Sequence, residues 1–377
     1  MSRALVSAEP AANEPEFRLV FHSIGDASPA NAAAIAVGLS VPVSTVLETL
    51  YRAPAVLVDR LSEEIGGRLH ELLSDMGCRV SLDPMSTSPP EPAGLFDVAL
   101  YVAESARYDD ITQALASFLG TSNDQARRLI STPPGIVLGK VSQATIDALA
   151  RRLGPGVELV ASDPEAALYD VFLAPCDALV HARLLGDLRR RGWSMIADTG
   201  CILAGLTKAE ADELWRSHQR VQELRVVNRD FLRFDLVLIG GACTPEASQA
   251  LTEVAGIPAE IVPRLFEEQD ITVIEAADYV AMHAALEQLT AAGLDIRADL
   301  ISFLHLGVEI IKAPFPQRVV QTLRALGIEA TERDLRSLPY RLPFVLPEVQ
   351  ARLLRDSLEC SGAETAYVDS SDIGILA

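Results

Sequence analysis

The side chains able to do chemistry are few and far apart. Six histidines (His22, His70, His181, His218, His283, His305) and five cysteines (Cys78, Cys176, Cys201, Cys243, Cys360) are spread over 377 residues, with no CxxC pair. A structural zinc site draws four ligands from closely spaced pairs. Cys176 and His181 make one such spacing, and no second pair completes it. There is no GxSxG elbow, HExxH pair, Walker loop or EF-hand loop. Gly240-Gly241 follows an apolar strand and precedes a helix start, as a phosphate loop would, but the third glycine of GxGxxG is missing. It reads as a tight strand-to-helix turn. The expectation is a chain with no catalytic residues, no metal site and no cofactor. One alternative stays open: an enzyme or ligand-binding protein whose site gathers Cys176, His181 and Cys201. Trp193 and Trp215 fall in the same stretch, either as core or as a partner hot spot.

Charge narrows the class of partner. The net charge is −20 and the pI about 4.7, which argues against general nucleic-acid or anionic-membrane binding. Half of that charge sits in residues 234–300, where Arg264 and Arg297 face twelve acidic side chains. The plain reading is a solvated face that aids solubility. The sharper one is a docking face for a protein with a basic surface, centred on Glu260, Glu267, Glu268 and Asp270, which would speed association and weaken with salt. The run Arg189, Arg190, Arg191 closes a helix, where cations complement the dipole. It also suits an acidic neighbour such as residues 234–300 of a second copy, so self-association is admitted.

The elements that must position these residues recur. Five segments open with an aromatic and a short apolar run: Phe17 to Phe21, Phe96 to Leu100, Tyr169 to Leu173, Phe234 to Leu238 and Phe303 to Leu306, spaced 79, 73, 65 and 69 residues apart. Alternation with β-branched and aromatic residues predicts a strand. After each comes the order helix, helix, strand, helix, strand. In the fourth, Thr244-Pro245 starts a helix that Gly256 ends, Ile271–Ile274 is a strand, and Ala276–Ala292 is a helix turning Val280, Ala284, Leu286 and Leu289 inward. In the fifth, the expected pieces are helices at 316–326 and 331–338 and a strand at 341–345. The fold expected is α+β: five tandem β-α-α-β-α-β repeats, each a three-stranded sheet with helices on one face. They cover 17–83, 96–161, 169–230, 234–300 and 303–368, and in the third the second helix is replaced by 192–200. Residues 84–95 read as a Pro-rich linker, 1–16 as a disordered tail without a secretory leader, and 369–377 as a second tail. The short later joins predict that repeats two to five pack as one array. Leu236 to Ile239 is apolar on both strand faces, so something covers the second face, a neighbouring repeat or another subunit.

The repeat resembles the C-terminal domain of the bacterial ribosomal stalk protein. The matching strands are FDVAL at Phe96, YDVFL at Tyr169 and FDLVL at Phe234. The matching endings are Gly77-Cys-Arg-Val80, Gly293-Leu-Asp-Ile296 and Gly362-Ala-Glu-Thr365. The likeness implies the β-α-α-β-α-β fold and protein binding. In that family, basic residues on the first two helices recruit translation GTPases, a role that would fall here on Arg324 and on Arg183 with Arg189–Arg191. The function expected is a non-enzymatic multi-repeat scaffold or adaptor. A ribosome- or GTPase-associated factor is the second reading. The scattered, odd cysteines and the absence of a run of about 18 apolar residues lead us to expect a cytoplasmic protein without a membrane span.

Overall fold

The computed structural model describes residues 16–369 except 28, 40, 175, 196–200, 268–269 and 327. It is a mixed α and β structure with five small antiparallel sheets. Of the tails expected at 1–16 and 369–377, residues 1–15 and 370–377 lie outside the described residues, and Asp369 ends a strand. The described residues fall into two compact units. One runs to residue 163 without 130–136. The other comprises 130–136 and everything from 164 on.

In the first unit, β1 (Phe17–Ser23), α1 (Pro29–Leu39), α2 (Val43–Tyr51), β2 (Ala55–Leu61), α3 (Glu63–Asp75) and β3 (Arg79–Pro84) build the first sheet, with β1 between β2 and β3. Residues 85–95 carry no helix or strand. Then β4 (Phe96–Val102), α4 (Tyr108–Leu119), α5 (Asn123–Ser131), β5 (Ile136–Val141), α6 (Gln143–Leu153) and β6 (Val157–Ser162) form the second, with β4 in the centre. The linker separates the two sheets in sequence and not in space. The Tyr51 carbonyl takes the Ser142 N–H at 2.8 Å and the Thr145 hydroxyl at 2.9 Å. Arg152 donates to the Asp26 carbonyl at 2.6 Å. Tyr51 also packs on Phe118, with ring centres 6.4 Å apart.

The second unit holds three sheets. The third comprises β7 (Tyr169–Leu173), α7 (Ala178–Arg190), β8 (Cys201–Leu206), α8 (Lys208–His218) and β9 (Leu224–Asn228). Residues 192–195 are not helical, in line with a lost second helix, and 196–200 lie outside the described residues. The fourth comprises β10 (Arg233–Gly241), α9 (Pro245–Ala255), the single turn α10 (Val262–Leu265), β11 (Ile271–Asp278), α11 (Tyr279–Ala291) and β12 (Leu294–Leu300). The fifth comprises β13 (His305–Lys312), α12 (Pro316–Ala325), β14 (Tyr340–Arg341), β15 (Leu346–Pro347), α13 (Glu348–Cys360) and β16 (Glu364–Asp369), with β13 paired to all three strands. Each of the three sheets has its own apolar core. Leu188 and Leu203 anchor the third, Leu236, Leu251 and Leu289 the fourth, and Ile310, Leu323 and Leu358 the fifth.

Several local expectations need correcting. The strand expected at Phe303–Leu306 begins at His305 and runs to Lys312, and Leu306 takes the edge register that Phe234 holds in the fourth sheet. Phe303 instead packs on Phe172 of the third sheet, ring centres 5.0 Å apart, beneath the Arg225 guanidinium. The strand expected at 341–345 splits into β14 and β15, and of the helix expected at 331–338 only a 3-10 turn, Asp334–Arg336, forms. Val280 is 68% exposed, because the Asp278 side chain caps α11 at the Ala281 N–H (2.7 Å) and sets a helical phase that buries Met282, Ala285 and Leu289. Gly240 and Gly241 are still inside β10, paired with Asp295 and Leu294, and form no separate turn. At Gly241 the φ of +124° disfavours any other residue, and a Cβ there would be crowded, 3.2 Å from the Gly293 carbonyl oxygen.

One device recurs in these sheets. The second strand holds a residue in left-handed backbone: Arg60 in β2 (φ 54°), Lys140 in β5 (φ 55°), Gly205 in β8 (φ 74°) and Ala276 in β11 (φ 53°). In three of them the aspartate just after the leading aromatic of the central strand accepts the freed N–H. Asp97 takes Lys140 at 2.9 Å, Asp170 takes Gly205 at 2.9 Å and Asp235 takes Ala276 at 2.8 Å. The strand register slips beside Tyr169 and Phe234, as a β-bulge requires.

Candidate functional site

The acidic residues singled out by sequence cluster around α10. Val262 is buried completely and pins this short turn to the fourth core. Its neighbours Glu260, Ile261 (46%), Arg264 and Glu267 are exposed. Asp270 sits in left-handed backbone (φ 55°) and reaches Arg297 at 3.5 Å, while Arg297 lies closer to Asp299, at 2.8 Å. Glu268 lies outside the described residues.

The arginine run is only partly available. Asp187, one turn back on α7, holds Arg190 at 3.0 Å and Arg191 at 2.9 Å. Arg191 also donates to the Ser217 hydroxyl at 3.1 Å, tying α7 to the end of α8. The same Asp187 meets His218 Nε2 at 3.0 Å. This His218 contact, ahead of the two guanidinium groups, holds the Asp187 carboxyl below its ordinary value. Arg189 is exposed, and so is Arg324 in the last turn of α12. The seven described residues of the eight named from sequence belong to the third, fourth and fifth repeats and form no single constellation.

Cys176 is half-buried ahead of α7, and His181 is exposed on that helix. The Cys201 thiol donates to the Leu203 carbonyl at 3.4 Å and packs against Phe172, Val227 and Leu232. Among the described residues no group of three or more histidine, cysteine, aspartate or glutamate side chains is spaced to hold a metal ion. Trp193 packs on the third core, and Trp215 is 47% exposed.

Two charged junctions within the second unit were not expected from sequence. At the first, Arg229 clasps Asp170, with Nη2–Oδ1 at 2.6 Å and Nε–Oδ2 at 2.9 Å. Its guanidinium lies over the Tyr279 ring, 5.2 Å from the centre, and Nη1 donates to the Tyr279 hydroxyl at 3.4 Å. The pair bridges the third and fourth sheets almost out of water, with side chains 15% and 9% exposed.

At the second junction, between the fourth and fifth sheets, carboxylates outnumber cations. Glu348 opens α13 and is 8% exposed. Arg352, one turn on, is 7% exposed, with Nε 3.5 Å from Oε1 of Glu348. Arg355 reaches Glu275 of β11 at 3.7 Å and Asp356 at 3.2 Å, and lies over the Tyr367 ring of β16 at 4.9 Å. Burial pushes the Glu348 carboxyl up to about 7; Arg352 and Arg355 oppose this, and Asp235 and Glu275 add to it. Asp235 is also raised, first by burial and then by Glu275 and Asp299, against the pull of its bond from the Ala276 N–H. Burial likewise raises the Tyr367 hydroxyl. In sequence Glu348 looks like an ordinary acidic helix start. The one signal it offers is its place after Pro347, at the first turn of an amphipathic helix.

No protein-family model, curated protein or solved structure matches this chain. Among the described residues no helix is long and apolar enough to cross a membrane.

Proposed function

We propose that the chain is a non-enzymatic scaffold of five tandem β-α-α-β-α-β repeats that binds protein partners, with the acidic surface of the fourth repeat offered to a basic one. The repeat reading is supported by five small sheets in which the earliest strand is central, and by an aspartate-capped bulge at one place in three of them. The observation that carries the binding reading is Ile261, exposed between the exposed Glu260 and the anchored Val262, on a turn that also exposes Arg264 and Glu267. An apolar contact inside a charged rim is the usual anatomy of a protein-binding spot. Tandem modules then add affinity through effective concentration.

The test is affinity capture from the native host by the full chain, repeated at rising salt and with Glu260→Gln, Glu267→Gln and Ile261→Ser combined. The reading expects a specific protein partner whose retention falls with salt and is lost in the variant. Capture unchanged by the variant removes the acidic surface as the site. Absence of any specific partner removes the scaffold reading.

A further inference from the structure

We propose that the contact between the fourth and fifth sheets is a proton-operated joint, closed when Glu348 is neutral and loosened when it is ionised. The geometry sets the balance of charge. Three carboxylates converge on the contact: Asp235 from β10, Glu275 from β11 and Glu348 from α13. Two guanidinium groups, Arg352 and Arg355, answer them. Asp356, 3.2 Å from Arg355, and buried Arg233 of β10, which donates to the Ala276 carbonyl at 3.1 Å beside Asp235, also belong to the contact. Four carboxylates then face three guanidinium groups, so the set is one negative charge in excess with every carboxyl ionised and neutral with Glu348 protonated. The remaining charged and titratable neighbours do not restore the balance. Asp299 of β12 adds repulsion at Asp235, and Tyr367 of β16 is uncharged in this range. Glu348 and Arg352 are both almost fully buried, so water and salt screen their charges poorly, whereas Glu275, 59% exposed, is partly screened.

The direction follows from linkage. Glu348 has an ordinary value of 4.5, raised to about 7 in the folded protein, so the folded state holds its proton more tightly than the unfolded chain. Its contribution to stability is complete at and below pH 4.5. It declines as the pH rises towards 7 and is absent above. The acidic surface around α10 belongs to the fourth sheet and the exposed Arg324 to the fifth, so the joint would set how two parts of the scaffold are presented together.

The experiment is hydrogen exchange of the full-length protein from pH 5.5 to 8.5, with rates corrected for the intrinsic pH dependence of exchange. Protection is followed at β11, at 301–304 and at the first turn of α13. Wild type should lose protection there with a midpoint near pH 7, several-fold across the range, while the first unit does not change. Glu348→Gln should stay protected at pH 8.5, and Glu287→Gln, an exposed control on α11, should behave as wild type. A flat wild-type profile, or a Glu348→Gln profile that titrates like wild type, overturns the proposal. Should Glu348→Gln not fold, Glu275→Gln carries the test. It removes a repelling carboxylate, so the midpoint must move to lower pH, and an unmoved midpoint overturns the proposal.

Discussion

Arg229 and Asp170 form a two-pronged ion pair, closed at 2.6 and 2.9 Å, in which one carboxylate oxygen also accepts the Gly205 N–H. One aspartate thus settles a bulge inside the third sheet and ties down the arginine that leads into the fourth. The arginine in turn rests on Tyr279, so a local turn and a contact between sheets share one set of hydrogen bonds.

Asp170→Ala should therefore be among the costliest single changes in the chain. It leaves a buried guanidinium unpaired and a bulge N–H without its acceptor, and breaking a buried pair in this way typically costs roughly 3–5 kcal/mol. Urea unfolding followed by exposed Trp215 and half-buried Trp193, both in the third sheet's segment, would report it. A loss under about 1 kcal/mol would mean that the pair is not shielded as described.

The bulge position predicts a rank order. Lys140 holds φ 55° where the third sheet uses Gly205. Left-handed backbone costs an ordinary residue about 1–2 kcal/mol, which glycine avoids. Lys140→Gly should thus be neutral or stabilising by up to about 1 kcal/mol, after allowing for the greater freedom of unfolded glycine. Lys140→Val should destabilise. Thermal melts of both variants against wild type decide the order, and a more stable valine variant would contradict the bulge geometry.

The link between α7 and α8 should weaken in acid. Asp187 is held below its ordinary value, first by His218 and then by Arg190 and Arg191. A carboxyl lowered on folding supports the fold above its unfolded value and gives up that support as the pH falls through the folded one, here below about pH 4. Asp187→Asn should flatten this acid limb and free Arg190 and Arg191. The pH dependence of unfolding for the two proteins is the measurement, and superimposable acid limbs would exclude the role.

Thiol accessibility offers a cheap check on the first sheet. Cys243 and Cys360 are exposed, and Cys78 is buried, with its thiol pushed up to about 11 by that burial. A thiol so raised supplies little thiolate at neutral pH. Alkylation followed by mass spectrometry should label Cys243 and Cys360 promptly and Cys78 only on unfolding. Prompt labelling of Cys78 in the native protein would contradict the burial of β3's start.

Much of this was legible in the linear order of residues. Aromatic-led alternating runs, helix caps such as Thr244-Pro245 and breaks such as Gly256 act within a few positions of the residues they govern, so local chemistry made elements such as α9 legible. Glu260, Glu267 and Asp270 are exposed for the same local reason: they cluster on a short, polar, turn-rich link. The fifth segment was misread because Phe303 carries the signature of a strand start. Its ring is drawn instead to Phe172, more than 130 residues earlier, and no local pattern encodes such a partner.

What the sequence by itself determined is the inventory: acidic composition, alternating strands and capped helices. The tertiary structure alone decided which charges meet. Asp170 finds Arg229, and Glu348 is brought up against Asp235 and Glu275, because folding brings distant segments together. Burial is a property of that packing and not of any residue, and it turned an unremarkable helix-opening glutamate into a group that titrates near neutrality.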